Sequence, residues 1–95
     1  MNIVQMIKFG RTLTDREYGK KVAATIIQDA TFPVILDFKG VITLGSSCGD
    51  EILNVLGPRQ NSQVQITNAN EPVRSCLEKV AEDSKIKIDF RNIQS

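Results

Sequence analysis

A short apolar stretch in the first half of the chain constrains the fold more than any other feature. The run Val34 to Phe38 follows Pro33 and is almost continuously apolar, which is typical of a central strand covered on both faces. The chain then passes through a short loop, ended by Leu44, into a segment rich in serine and acidic residues, Gly45 to Glu51. The sequence therefore predicts a buried strand that leads into an exposed, serine-rich helix start.

Segments with strand and helix periodicity alternate along the whole chain. The predicted elements are, in order, a strand over Ile3 to Phe9, a helix from about Asp15 to Ala30, the central strand, a helix ended by Gly57-Pro58, a strand over Gln63 to Thr67, a helix after Asn70, and a terminal strand over Ile86 to Phe90 suited to a sheet edge. This β-α-β-α-β-α-β order predicts one α/β domain over residues 1–95. We expect a four-stranded sheet, mostly parallel or mixed, with three helices.

Capping signals place the predicted start of the first helix. Thr14 followed by Glu17 forms a capping box, and Leu13 and Tyr18 stand where a hydrophobic staple needs them. Thr14 is therefore the predicted N-cap of this helix.

The other two helices also have candidate caps. Ser46 or Ser47 can cap the second helix, and Ser47 with Asp50 three residues later is an N-cap arrangement. Asn70, followed by an acidic residue and a proline, is the predicted cap of the third helix. Because one helix start needs one capping hydroxyl, one of the two serines is left for another role.

The amino-acid composition argues against several classes of function. The chain has 12 Lys and Arg against 11 Asp and Glu, so no broad field favours nucleic acid or an anionic membrane. It has no histidine, which is the commonest zinc ligand and general base, and two cysteines are too few for a zinc site. No run is long enough to span a membrane and the N-terminus lacks a signal-peptide pattern, so we expect a cytoplasmic protein with no metal and no cofactor.

Two motifs resemble a known family. Leu36-Asp37-Phe38-Lys39-Gly40-Val41 and Ser46-Ser47-Cys48-Gly49-Asp50-Glu51-Ile52, with Phe9-Gly10-Arg11 and Arg16-Glu17-Tyr18-Gly19-Lys20-Lys21 upstream, resemble STAS-like domains of unknown function. These are small bacterial relatives of the anti-sigma-factor antagonists. The resemblance covers the chain from Phe9 to about Phe90.

The resemblance implies a function and a site. In the antagonists the first hydroxyl of an Asp-Ser-Ser-Gly or Asp-Ser-Thr-Gly motif accepts phosphate from a partner kinase, and phosphorylation blocks binding. By position Ser46 corresponds to the phosphorylated serine and Ser47 to the second hydroxyl, while Gly45 stands where the family has its aspartate. The implied function is a non-catalytic regulatory module that docks on a histidine-kinase-like ATPase through Gly45, Ser46, Ser47, Gly49 and Asp50.

Other readings of the same residues stay open. Free amides at the helix start near Ser46 could instead hold a small anionic ligand or nucleotide. Asp37 is expected to anchor its loop as a hydrogen-bond acceptor, and Cys48 to face the core. Asp50 and Glu51 are adjacent, so we expect their side chains to diverge, which disfavours an enzyme built on paired carboxylates.

Overall fold

The structure, a computed structural model, describes residues 2–91; Met1 and residues 92–95 of the predicted domain lie outside the described residues. The elements are β1 (Asn2–Gln5), β2 (Thr12–Leu13), α1 (Arg16–Asp29), β3 (Val34–Asp37), β4 (Thr43–Leu44), α2 (Ser46–Leu56), β5 (Gln63–Thr67), α3 (Glu71–Ser84) and β6 (Lys87–Arg91), with 3-10 turns at Met6–Phe9 and Gly57–Gln60. The predicted α/β class, with three helices and a four-stranded main sheet, is confirmed.

The main sheet is parallel throughout. Its strand order is β1-β3-β5-β6, so β3 is interior and β6 is an edge strand, both as predicted. The prediction of a mostly parallel or mixed sheet allowed an antiparallel edge strand, but both edge strands pair in parallel with their neighbours. Val4, Leu36, Ile66 and Phe90 are aligned across the four strands and carry one apolar row.

The three helices form one layer against the sheet. Parallel strands that follow chain order, joined by right-handed crossovers, place every helix on the same face. In agreement with this, α2 packs against both α1 and α3. Every residue of β3 is buried, including Ile35 and Asp37, which alternate with the core residues Val34 and Leu36.

A second sheet of two short strands was not predicted. Thr12 pairs with Thr43 and Leu13 with Leu44, both in parallel. The predicted strand over Ile3 to Phe9 accordingly ends early, at Gln5, where the buried Met6 begins a 3-10 turn. Because β2 leads into α1 and β4 into α2, the small sheet sets the two helix starts side by side.

The predicted cap of α1 is wrong by one residue. Asp15, not Thr14, is the N-cap, and its carboxylate accepts a hydrogen bond of 2.8 Å from the amide of Tyr18. The predicted staple is also wrong: Leu13 is fully buried, whereas Tyr18 is exposed and donates its hydroxyl to the Phe9 carbonyl. Leu13 is held by β2 in the small sheet, which moves the helix start one residue along the chain.

Candidate functional site: the start of α2

Helix α2 begins at Ser46, but neither serine caps it. The N-cap is Gly45, with no side-chain cap, so the predicted capping roles of Ser46 and Ser47 are wrong. The reason is tertiary packing: a Cβ on Gly45 would lie 2.9 Å from the Cα of Thr14. The amide of Gly45 also donates to the Leu13 carbonyl at 2.7 Å. A serine at this position would therefore have to displace the backbone of Thr14.

The two serines occupy the first two positions of α2 and differ in exposure. Ser46 is exposed and Ser47 is half-buried. Both line a groove of about 230 Å³ between the starts of α1 and α2 and the second half of α3. Its other walls are Arg16, Asp50, Val80 and Asp83. Ser46 is thus the more accessible of the two hydroxyl groups.

Arg16, the first residue of α1, ties the two helix starts together. Its Nη1 lies 3.0 Å from Oε1 of Glu51 and 3.5 Å from Oδ2 of Asp50. The hydrogen bond to Glu51, more than the weaker contact with Asp50, raises the pKa of the Arg16 guanidinium, which is charged at any relevant pH. The expectation that the two adjacent carboxylates diverge is therefore wrong, because both reach one guanidinium.

Asp50 is held in place by several partners. Its Oδ1 accepts a hydrogen bond of 2.7 Å from Nδ2 of Asn54, one turn further along α2. The hydroxyl of Ser84, at the end of α3, lies 3.4 Å from the same oxygen. Together with Arg16, these contacts join all three helices at Asp50. No local sequence signal pairs Asp50 with residues 34 positions away in both directions.

Cys48 and Gly49, which follow the two serines, are both buried. Gly49, which the sequence places in the predicted docking surface, is buried beside Leu44 and Val80 and exposes little surface to a partner. Cys48 is fully buried, as predicted, where α1 comes close at Gly19. Burial, with a smaller effect of the Asp15 carboxylate, raises the pKa of the Cys48 thiol to about 11. This thiol stays protonated at neutral pH and is not poised as a nucleophile.

Asp37 anchors its loop, as predicted. Its Oδ1 accepts hydrogen bonds of 3.0 Å from the Lys39 amide and from Nδ2 of Asn68. These bonds tie the end of β3 to the turn after β5. Asp37 therefore lies outside the groove at the start of α2.

Within residues 2–91, no group of three metal-binding side chains occurs, and none of the helices is long and apolar enough to cross a membrane. No protein-family model, curated protein or solved structure matches the chain. The STAS-like resemblance therefore rests on the motifs quoted above.

Proposed function

We propose that the chain is a non-catalytic regulatory module that docks on a protein partner through the start of α2. The docking surface comprises Gly45, Ser46, Ser47 and Asp50, with Arg16 beside them. The observation that carries the proposal is the position of Ser46: it is exposed at the first turn of α2 while Gly45 serves as N-cap. Its hydroxyl has no capping role, so it is available for recognition.

The partner follows from the resemblance and from local charge. The STAS-like motifs suggest a histidine-kinase-like ATPase of the anti-sigma type, and hence a cytoplasmic setting. The first turn of α2 presents backbone amides and the positive end of the helix dipole, and Arg16 adds a guanidinium next to it. These donors would hold a carboxylate on the partner by charge-assisted hydrogen bonds, against the repulsion of Asp50 and Asp83 in the same groove.

Phosphorylation of Ser46 would change this surface through Arg16. Ser46 and Asp50 are four residues apart, so they lie on the same face of α2. A phosphate at Ser46 carries nearly two negative charges at neutral pH and would compete with Asp50 and Glu51 for Arg16. The added charge would repel a partner carboxylate, so the modified module would release its partner. Ser47 is the second candidate for modification, and its half-buried position makes it the weaker one.

The test is recovery of the partner from the native cell with a tagged chain, followed by quantitative mass spectrometry of the bound proteins and of the Ser46 peptide. Ser46→Ala should keep the partner and Ser46→Asp should weaken its recovery, because the added carboxylate repels it. Ser75→Asp is the matched control, since it adds the same charge at an exposed serine of α3 and should have no effect.

Two results would reject the proposal: no partner is recovered, or the partner is indifferent to Ser46→Asp. Either would favour the alternative, a small anionic ligand or nucleotide at the same helix start. The groove of about 230 Å³ there gives that alternative a place to bind. Asp50 and Asp83 in its walls oppose a free anion as they oppose a partner carboxylate, so the recovery experiment decides between the two.

A further inference from the structure

Strand β6 forms one edge of the main sheet. It is the last strand in the order β1-β3-β5-β6 and pairs with β5 over five consecutive residues, with no break in register. Natural sheets protect such edges with proline, with bulges or with charges that point inward. The sequence of β6 has no proline or glycine, and its inward residues are Ile88 and Phe90, which pack against the core. An edge strand of this kind can pair with a strand of another chain.

The backbone groups that β6 offers to such a strand belong to two residues. The amide of Lys87 donates to the Ser62 carbonyl, just before β5, at 2.8 Å. Successive residues of a strand direct their N–H and C=O groups to alternate sides, so the odd-numbered residues of β6 face β5. Ile88 and Phe90 therefore direct their backbone groups to the outer side of the sheet.

The charged side chains of β6 lie on the sheet face away from the helices and alternate in sign. In chain order they are Lys87, Asp89 and Arg91. Arg91 is anchored to β5, since its Nη1 donates to Oε1 of Gln65 at 3.0 Å. Among residues 2–91, neither Lys87 nor Asp89 forms an ion pair. The edge strand thus carries two opposite charges, two residues apart, that have no ionic partner within this part of the chain.

We infer that β6 is a self-association surface, at which two copies of the chain pair their β6 strands in antiparallel orientation about a two-fold axis. The axis passes through Ile88, so that Lys87 of each copy lies opposite Asp89 of the other. These are non-hydrogen-bonded pairs, with Cα atoms about 4.5 Å apart, in which side chains come closest. Two-fold symmetry repeats the contact, so each dimer has two such ion pairs.

Charge favours this register over the neighbouring one. With the axis at Asp89, the two Asp89 carboxylates would face each other and Lys87 would face Arg91. Every facing pair of side chains would then have like charges, which is destabilising. With the axis at Ile88, the facing charges are opposite and the two Ile88 residues exchange a pair of backbone hydrogen bonds.

Apolar contacts on the helix face support the same register. Ile88 meets its own copy, and Phe90 meets Ile86 of the second copy. Ile88 and Phe90 are half-buried in the single chain, so the pairing covers apolar surface that one chain leaves exposed. A contact of one strand from each copy is smaller than the interface of a stable dimer, so we expect association at high protein concentration.

Sedimentation velocity of the full chain over a range of concentrations tests the inference. The wild-type chain should shift from monomer toward dimer as its concentration rises. Lys87→Asp and Asp89→Lys each turn both ion pairs into like-charge pairs, so each should raise the dimer dissociation constant about tenfold or more. Lys21→Asp is the matched control, because it makes the same change at an exposed lysine of α1 and should leave the constant unchanged.

Two rescue experiments identify the register and the surface. Lys87→Asp combined with Asp89→Lys in one chain restores opposite facing charges when the axis is at Ile88, so this double variant should dimerise like the wild type. With the axis at Phe90, where Asp89 would face Arg91, the double variant would stay weak. An equal mixture of the two single variants should form a heterodimer, because one chain presents two acidic side chains and the other two basic ones. The mixture also shows that both variants are folded.

Four results would overturn the inference: a chain that stays monomeric at every concentration, a dimer indifferent to both single variants, a double variant as weak as the single ones, or a mixture that forms no heterodimer. None of these variants changes the docking surface at the start of α2, so the outcome is independent of the proposed function.

Discussion

Helices α2 and α3 begin in opposite ways, since a side chain caps the first free amides of α3 and none caps those of α2. Asn70 caps α3 with its own side chain, accepting a hydrogen bond of 2.9 Å from the Val73 amide. Gly45 begins α2 with no side chain, because the backbone of Thr14 fills the space that a Cβ would need. Local chemistry therefore places one helix start and tertiary contact places the other. The second arrangement leaves Ser46 and Ser47 without a capping role, and this is the basis of the proposed docking surface.

The largest expected effect is at Gly45. Gly45→Ala should destabilise the domain by about 1–3 kcal/mol, because the new methyl group overlaps the Thr14 backbone. Gly49→Ala is the control in the same helix: its Cβ would meet Leu44 at an ordinary 3.5 Å, and helix propensity favours alanine. Urea denaturation should show opposite signs for the two variants. Equal midpoints would contradict the packing explanation for Gly45.

The second largest loss of stability is expected for substitutions of Asn70. Asn70→Ala should cost about 1–2 kcal/mol, because it removes the cap of α3. It also removes the bonds from Nδ2 to the carbonyls of Val41 and Ile42, at 3.2 and 3.0 Å. Asn70→Ser keeps an oxygen for the cap and loses those two bonds, so its free energy of unfolding should fall between wild type and Asn70→Ala. If Asn70→Ser is as unstable as Asn70→Ala, the lost stability comes from the two bonds to the Val41 and Ile42 carbonyls and not from the cap.

A smaller effect separates the two candidate caps of α1. Asp15→Ala should lower stability by about 1 kcal/mol through loss of the bond to the Tyr18 amide. Thr14→Ala should change stability by less than about 0.5 kcal/mol, because its exposed side chain does not cap the helix. Chemical denaturation of both variants shows which of the two residues caps α1. A larger loss of stability for Thr14→Ala than for Asp15→Ala would show that Thr14 caps the helix, as the sequence predicts.

The smallest effects are expected at the serines of α2. Ser46→Ala and Ser47→Ala should each stay within about 0.5 kcal/mol of wild type, since neither hydroxyl caps the helix. The sequence alone predicts a loss of about 0.5–2 kcal/mol for the capping serine. Denaturation midpoints of the two variants thus distinguish the structural account from the sequence pattern.

The order of the three helices and of the four main-sheet strands was predictable because it depends on local periodicity. The strand at Gln63–Thr67 and the cap at Asn70 lie where the sequence places them. At α1, Thr14 and Asp15 are adjacent and can both cap a helix, so the choice depends on the β2 pairing of Leu13. That pairing extends over only two residues, too few to leave a periodic signal.

The position of the candidate site was predictable from the sequence, but the contacts among its side chains were not. Ser46, Ser47 and Asp50 do meet at one helix start, as the sequence indicates. Arg16 joins them only because α1 and α2 start side by side, and no pattern along the chain relates residue 16 to residues 50 and 51. The burial of Gly49 likewise depends on Leu44 and Val80, which come from two other elements.

Photo-crosslinking from position 46 directly tests docking through the start of α2. A photoreactive phenylalanine analogue replaces Ser46 in one variant and Ser75, an exposed serine of α3, in another, and both are irradiated in the native cell. We expect a discrete protein adduct from position 46 that disappears when Arg16→Ala is added, and no such adduct from position 75. The same adducts from both positions, or none from position 46, would contradict docking through the start of α2.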